Sequence, residues 1–291
     1  LRSCGQDDAR ALSAGGGRLM DIRNELRKAA REGCIRTADI ERIASSAGLA
    51  TASVERSALE AGIVPERYRR NGSTISPEQQ LRLLSSTAAV VGCGGLGGYV
   101  VEELARLGVG RLIAIDPDVF EEHNLNRQLY AVGESLGKPK VEAAAARIAM
   151  VNPSVSMVPL YERFTSDSAK RQLSGSVVVV DALDSVSARR ELAASCSALG
   201  LPLVHGSIAG WFGQLTVQYP GESTIDSLYA GFGGDKGVEA RLGNPSFTPA
   251  VVASLQAALA CKLILGMESG LRRRVLMIDL LAMSFETISM G

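Results

Sequence analysis

Gly92, Gly94 and Gly97 lie in the stretch Ala88-Ala-Val-Val-Gly-Cys-Gly-Gly-Leu-Gly-Gly98, where an apolar run passes straight into a glycine-rich turn. The G-x-G-x-x-G spacing has a physical use at each position. The first glycine turns the chain sharply, the second lets backbone approach a phosphate, and the third lets the next helix pack closely on the strand. A helix opening near Gly98 and running to Leu107 points unpaired amide N–H groups and the positive end of its dipole at the same spot. An anion is the ligand such a turn suits, although a glycine turn between strand and helix is also ordinary α/β punctuation.

The acids that follow narrow the ligand. Residues 111–116 read as a second buried strand ending in Asp116, which follows Gly97 at about the 20 residues expected of a carboxylate that holds a ribose. The alternative is that Asp116 and Asp118 only flank a turn around Pro117. Next come Asp116-Pro-Asp-Val-Phe-Glu-Glu-His-Asn-Leu-Asn-Arg-Gln128 and Gly137-Lys-Pro-Lys-Val141. A nicotinamide-dependent oxidoreductase has no use for an arginine and lysines directly after its ribose acid, whereas a triphosphate needs them. Residues 176–180 are a β-branched run, the mark of a parallel strand buried on both faces. It ends in Asp181-Ala-Leu-Asp184. Because ligands bind beyond the carboxyl ends of strands in open α/β sheets, Asp116, Asp118, Asp181 and Asp184 are expected to converge near the glycine turn.

From about Arg67 to its end, the chain closely resembles the ubiquitin-activating-enzyme-like family that includes ThiF, MoeB and HesA. The resemblance rests on G-x-G-G-x-G at Gly92 to Gly97, D-x-D at Asp116 to Asp118, N-L-x-R-Q at Asn124 to Gln128, G-x-P-K at Gly137 to Lys140, and the D-x-x-D at Asp181 to Asp184. It implies that Gly92, Gly94, Gly95, Gly97, Asp116, Asp118 and Gln128 belong to the ATP site. In that site Asp116 holds the ribose, Asn124 and Arg127 reach the phosphates, Lys140 binds phosphate in preference to Lys138, and Asp184 helps to hold Mg²⁺. It further implies that Arg70 is lent to a partner subunit's active site, with Arg69 competing for the role. For each basic residue the bland reading is a solvated surface charge.

The implied reaction is adenylation of the C-terminal glycine carboxylate of a small ubiquitin-like sulfur carrier with a Gly-Gly tail. It needs no general base, since a terminal carboxylate with a pKa of about 3.5 is already ionised at neutral pH. The site must instead align two anions and neutralise charge on the departing pyrophosphate. Arg127, Lys140, Asp184 and Arg70 are the residues assigned to that work. Departures from the family are equally specific. Many members carry paired C-x-x-C zinc ligands, and this chain has none. Several carry a loop cysteine for thioester or persulfide chemistry, yet no cysteine lies between Pro220 and Pro249. Cys196, among small and apolar neighbours, reads as core. Adenylation is therefore expected without a covalent sulfur-transfer step and without zinc.

The elements that must position these residues follow from periodicity. Ser13-Ala-Gly-Gly-Gly17 suggests a flexible start through about residue 18. Apolar residues at helical spacing over 19–31, then helices opening at Thr37 and Thr51 and ending near Gly48 and Gly62, make a small all-helical amino-terminal domain, residues 1–66. Its helices could be read as helix-turn-helix, but the third carries Glu55 and Glu60 against Arg56, a poor surface for phosphate, so docking or dimerisation is the preferred role. Pro65 to Asn71 reads as a basic linker. Ser76-Pro-Glu-Gln79 then opens a helix with a cap.

The nucleotide-binding adenylation domain, residues 67–291, is expected to be α/β: a Rossmann-like, mostly parallel sheet flanked by helices, with antiparallel strands at its carboxyl-terminal side. Helices are expected at 142–151, 166–173, 187–199 and 249–265, and further strands at 155–159, 203–205, 213–219, 275–280 and 284–289. Residues 220–246 read as a long glycine-rich loop of the kind that is usually functional, under which the second substrate would enter.

Bulk properties fit a soluble globular protein. The 291 residues are 46% hydrophobic and 21% charged, with 31 Lys+Arg against 31 Asp+Glu, so charge gives no reason to expect nucleic acid or a membrane as partner. Arg272-Arg-Arg274 keeps a tRNA substrate open. Lys262 interrupts the longest late apolar stretch, which argues against a membrane span. No signal-peptide pattern opens the sequence as given. Five scattered cysteines, Cys4, Cys34, Cys93, Cys196 and Cys261, suit reduced thiols in the cytoplasm. Competing functions are a relative that adenylates a peptide or tRNA, a nicotinamide-dependent oxidoreductase, and a non-catalytic scaffold. A homodimer is expected, because lending Arg70 requires one.

Overall fold

The computed structural model describes residues 21–231, 234–235 and 239–290, with the side chains of 239 and 240 excepted. The expected flexible start and Cys4 lie outside the described residues. The chain divides into two compact units, residues 1–84 and 85–291.

In the first unit a helix through residues 21–29 (α1) is followed by β1 (Cys34–Ile35), α2 (Thr37–Ala47), α3 (Thr51–Glu60), β2 (Val64–Pro65), a 3-10 helix (Glu66–Asn71) and α4 (Pro77–Leu84). Ile22, Leu26, Ile35, Ile40, Ile43, Val54, Ala58 and Ile63 form its core. The helices are joined by a parallel pairing of β1 with β2, which two-residue strands are too short to announce by alternation. The unit ends later than residue 66. The segment read as a basic linker is the 3-10 helix, anchored by buried Tyr68 and by Arg67 bonded to fully buried Glu55 at 2.7 Å. Helix α4 packs on α3. Its cap is reciprocal: Ser76 Oγ accepts the Gln79 N–H at 3.2 Å and Gln79 Oε1 accepts the Ser76 N–H at 2.9 Å.

The second unit is an eight-stranded sheet in the order β10-β9-β8-β7-β6-β3-β4-β5. Strands β3 (Thr87–Val91), β4 (Arg111–Ile115), β5 (Ser156–Leu160), β6 (Val178–Asp181) and β7 (Leu203–Ala209) pair in parallel. Strands β8 (Phe212–Gln218), β9 (Arg274–Asp279) and β10 (Ser284–Ser289) continue antiparallel from β7. The β3 and β6 runs are buried on both faces, as their unbroken apolar sequence requires. The chain winds from β3 outward to β4 and β5, then returns to β6 on the other side of β3. That reversal opens a crevice at the carboxyl ends of β3, β4 and β6.

The helices are α5 (Gly95–Leu107), α6 (Lys140–Val151), α7 (Ala169–Gln172), α8 (Val186–Leu199), α9 (Thr224–Leu228), α10 (Glu239–Leu242) and α11 (Phe247–Ile264). Only the last turn of the helix expected over 166–173 forms. Ser168 Oγ bonds to Thr165 and Gln172 instead of leaving the backbone to close earlier turns. Helix α11 is long and apolar enough to cross a membrane by length and composition alone. It packs on α5, β6, β7 and β8 through Val252, Ala253, Gln256, Ala257 and Ala260, the position of a core helix. The long stretch after Pro220 is not structureless, since α9 and α10 lie within it.

Candidate active site

The glycine turn owes its shape to two contacts. Gly92 has φ +94°, and a Cβ there would stand 2.5 Å from the Ala182 carbonyl oxygen. A Cβ on Gly97 would overlap the Gly92 carbonyl. Gly94 differs, since a Cβ there would sit 3.4 Å from Gln128 Nε2, an ordinary contact, so the open space above it is room for a ligand. Helix α5 begins at Gly95, earlier than expected, and no side chain among the described residues caps its first turn. Its free N–H groups face an anion site.

A cavity of about 540 Å³ lies over this turn, lined by Gly92, Gly94, Gly95, Asp116, Asp118, Arg127, Gln128, Lys140 and Asp184, and also by Arg163, Arg189, Glu191 and Asp235. Most of the residues singled out from sequence therefore meet in one place. Asp116 ends β4 buried, with Oδ2 accepting the Cys93 N–H at 2.6 Å and Oδ1 accepting the Asp118 N–H at 2.8 Å. Burial raises its pKa above the usual range, and Lys140 opposes that rise. Both oxygens keep a lone pair for ribose hydroxyls. Lys140, at the start of α6, is buried with Nζ 3.0 Å from the exposed Asp118 Oδ2. Arg127 bonds only neutral acceptors, the His123 carbonyl at 3.0 Å and Asn126 Oδ1 at 2.9 Å, so its charge is uncompensated by any described carboxylate. Burial lowers its pKa, since desolvation disfavours the charged form.

The cavity's carboxylates divide the same way. Asp116 holds backbone, Asp118 holds Lys140, Glu191 accepts the Ser166 N–H at 2.6 Å, and Asp235 Oδ1 accepts the Ser187 N–H at 2.9 Å. Asp184 alone among them has no hydrogen bond or ion pair within the described residues, and it is exposed. One free carboxylate beside two cations and a helix N-terminus suits a divalent ion bridging protein and phosphate oxygens. Among the described residues no cluster of three or more His, Cys, Asp or Glu could hold a metal unaided. The buried Gln128 Oε1 has no hydrogen-bond partner among the described residues, leaving an acceptor in the wall for a nucleotide hydroxyl or amino group.

Two residues stand elsewhere than expected. Asp181 does not reach the cavity: it is fully buried, with Oδ2 2.6 Å from His205 Nδ1 and Oδ1 accepting the Leu183 N–H at 2.9 Å. Asn124 does not line the cavity either. It is buried, and its Oδ1 accepts the Glu121 N–H at 3.0 Å, so it shapes the turn that presents Arg127. Of the two lysines of the Gly137–Lys140 segment, the lining holds Lys140 and not Lys138. Arg70 lies exposed on the 3-10 helix of the first unit and has no ion pair among the described residues, whereas Arg69 is bonded to Glu32 and Glu66 at 2.7 and 3.2 Å. Of the two, Arg70 is the one with an uncommitted charge. Cys196 is buried on α8 and its thiol is pushed up to about 12 by burial, so it is core.

Sequence reasoning missed Arg163, Arg189, Glu191 and Asp235. The Asp184–Ser187 turn beside α8 gives a partial signal for Arg189, which projects back from that helix, but Arg163 and Asp235 arrive from loops without a motif.

The family model described as "ThiF family" matches residues 68–291. The "SAMP-activating enzyme E1" of Haloferax volcanii is 39% identical over 227 residues, covering 77% of this chain and 84% of that protein. The "Sulfur carrier protein adenylyltransferase" of Thermus thermophilus is 34% identical over 240 residues, covering 77% and 86%. Among solved structures, Escherichia coli MccB with ATP superimposes with a TM-score of 0.65 at 21% identity, covering 78% of this chain and 72% of that one, a likeness of fold.

Proposed function

This chain belongs to the ThiF family, and from that membership we propose that it uses ATP to adenylate the C-terminal glycine carboxylate of a small ubiquitin-like sulfur-carrier protein, of the thiamine or molybdopterin type, releasing pyrophosphate. Its enzyme class is adenylyltransferase. The observation that carries the reading is the division of charge in the cavity among the described residues: Arg127 uncompensated, Lys140 buried at the start of α6, and Asp184 the one carboxylate left free.

In this reading the triphosphate lies along the glycine turn, with α5's free N–H groups and Arg127 on its oxygens. Asp116 and Gln128 accept hydrogen bonds from the nucleoside. Lys140 exchanges Asp118 for phosphate as a compact charge. The carrier's carboxylate, already ionised, attacks the α-phosphorus, a mixed anhydride forms, and pyrophosphate departs with the bonding pair. Arg127 and Lys140 compensate charge that grows on the leaving group, so they act more on the chemical step than on binding. Asp184 is the residue that would hold Mg²⁺, and the ion would supply further charge neutralisation there.

The reading brings with it a homodimer in which Arg70 serves the partner's site, and a cytoplasmic location. It includes no zinc and no cysteine-linked sulfur transfer. A relative acting on a peptide or tRNA is the runner-up. ATP–pyrophosphate exchange with a Gly-Gly-ended carrier, beside ATP and NADH thermal-shift titrations, separates these readings. Carrier-dependent exchange supports the proposal, and NADH binding without exchange would overturn it.

A further inference from the structure

Asp181 is the first acid of the D-x-x-D motif, yet its carboxylate is turned into the protein. Tracing its partners gives a closed circuit. Asp181 Oδ2 meets His205 Nδ1 at 2.6 Å, and His205 Nε2 meets the Tyr229 hydroxyl at 3.1 Å. That hydroxyl accepts from Arg189 Nη1 at 3.0 Å and from Gln214 Nε2 at 3.3 Å. Arg189 then donates from Nε and Nη2 to the Leu183 carbonyl at 3.2 and 2.8 Å, while the Leu183 N–H returns to Asp181 Oδ1 at 2.9 Å. Both polar groups of Leu183 are therefore held by one ring of buried side chains, and the next residue is Asp184.

The shortest contact fixes one proton: 2.6 Å from the Asp181 carboxylate, His205 Nδ1 is the donor. The Tyr229 oxygen, reached by N–H donors of Arg189 and Gln214 and also by the Ser207 hydroxyl, faces the other ring nitrogen at 3.1 Å. Full burial disfavours a charged ring, so the arrangement is that of a neutral imidazole in the Nδ1–H form. The charged and titratable groups facing His205 are Asp181 from β6, Arg189 from α8 and Tyr229 after α9, and all are used in this arrangement.

We propose that Asp181, His205, Tyr229 and Arg189 form a positioning ring that holds the Leu183 peptide so that Asp184 stands where Mg-ATP needs it, which makes His205 and Tyr229 positioning residues for adenylation. The inference rests on the ATP reading of the cavity. It also extends that reading to the segment beyond α9. Tyr229 ends that short helix, and Asp235 further along accepts the Val186 and Ser187 N–H groups at 2.9 Å each, so both ends of this stretch are pinned to the turn that carries Asp184.

Two measurements test it. The chain has two histidines, so nitrogen NMR of ¹⁵N-histidine-labelled protein resolves each ring. One imidazole should remain neutral in the Nδ1–H form across about pH 5.5 to 8, the range in which an ordinary histidine titrates. With the signal of the exposed His123 assigned by a His123→Gln variant, a His205 ring in the Nε2–H form, or one titrating near 6.5, would overturn the ring. ATP affinity is then measured with Mg²⁺ and with EDTA. Tyr229→Phe should lose roughly 10-fold in affinity only when Mg²⁺ is present, the scale of one buried hydrogen bond, and Asp184→Asn should lose the Mg²⁺-dependent increment altogether. Equal loss in both conditions, or none, would reduce the ring to general packing and refute the proposal. A wild-type chain that binds no ATP would instead count against the adenylation reading, and the imidazole signal would still decide whether the ring exists.

Discussion

Lys140 Nζ lies 3.0 Å from Asp118 Oδ2, with the lysine buried and the aspartate largely exposed. The buried cation is held at the cavity wall by a partner that water can screen, so phosphate can take Asp118's place at small cost. Lys140→Ala should lower pyrophosphate exchange by about 100-fold or more, the scale of one preorganised electrostatic group. ATP binding should fall much less. Steady-state exchange beside equilibrium binding checks the split.

Among the described residues Arg127 has only a carbonyl and an amide as partners. Truncation leaves no buried carboxylate stranded, so Arg127→Ala should fold with a melting temperature near wild type. Its exchange rate should still drop by about 100-fold or more. A variant with near-normal exchange would remove Arg127 from the mechanism.

The glycines of the turn should separate by function. Gly97→Ala places a methyl group on the Gly92 carbonyl, a backbone atom that cannot step aside, and should cost at least about 2 kcal/mol of stability. Gly94→Ala meets only the end of Gln128 at 3.4 Å, so its melting temperature should stay close to wild type while ATP affinity falls. Thermal melts with and without ATP read both effects.

His205 gives the fold a pH dependence of known sign. Burial lowers its folded-state pKa below the usual 6.5, against the opposing pull of Asp181. The unfolded chain then binds the extra proton more readily. Stability is fully present above the unfolded value and is lost as pH falls below about 6.5. Urea unfolding at a series of pH values should show this slope, and His205→Asn, which cannot take up a proton, should flatten it.

Much of this was legible because the glycine turn, the acid ending β4 and the N-L-x-R-Q and G-x-P-K segments are local patterns whose geometry follows from a few adjacent residues. Strand β6 was legible for the same reason, since four valines in a row, Val177 to Val180, admit few alternatives. Asp181 was misplaced because alternation decides direction. Two residues at the end of one strand point to opposite faces, and only the fold shows that His205 waits on the inner one. Asn124 shapes a turn outside the cavity lining, and a short turn and a binding site draw on the same residue types. Arg163 and Asp235 come from loops whose course is set by tertiary packing, and the unit boundary moved to residue 84 because Arg67 and Tyr68 are tied into the first unit's core.

The central claim is that a terminal carboxylate is activated over the glycine turn, and ATP–pyrophosphate exchange with matched carriers tests it most directly. One carrier ends in a free Gly-Gly carboxylate and the other is identical but amidated at that terminus. The account predicts exchange with the first, none with the second, and loss with the first on Asp184→Asn. Exchange that proceeds equally with the amidated carrier would contradict it.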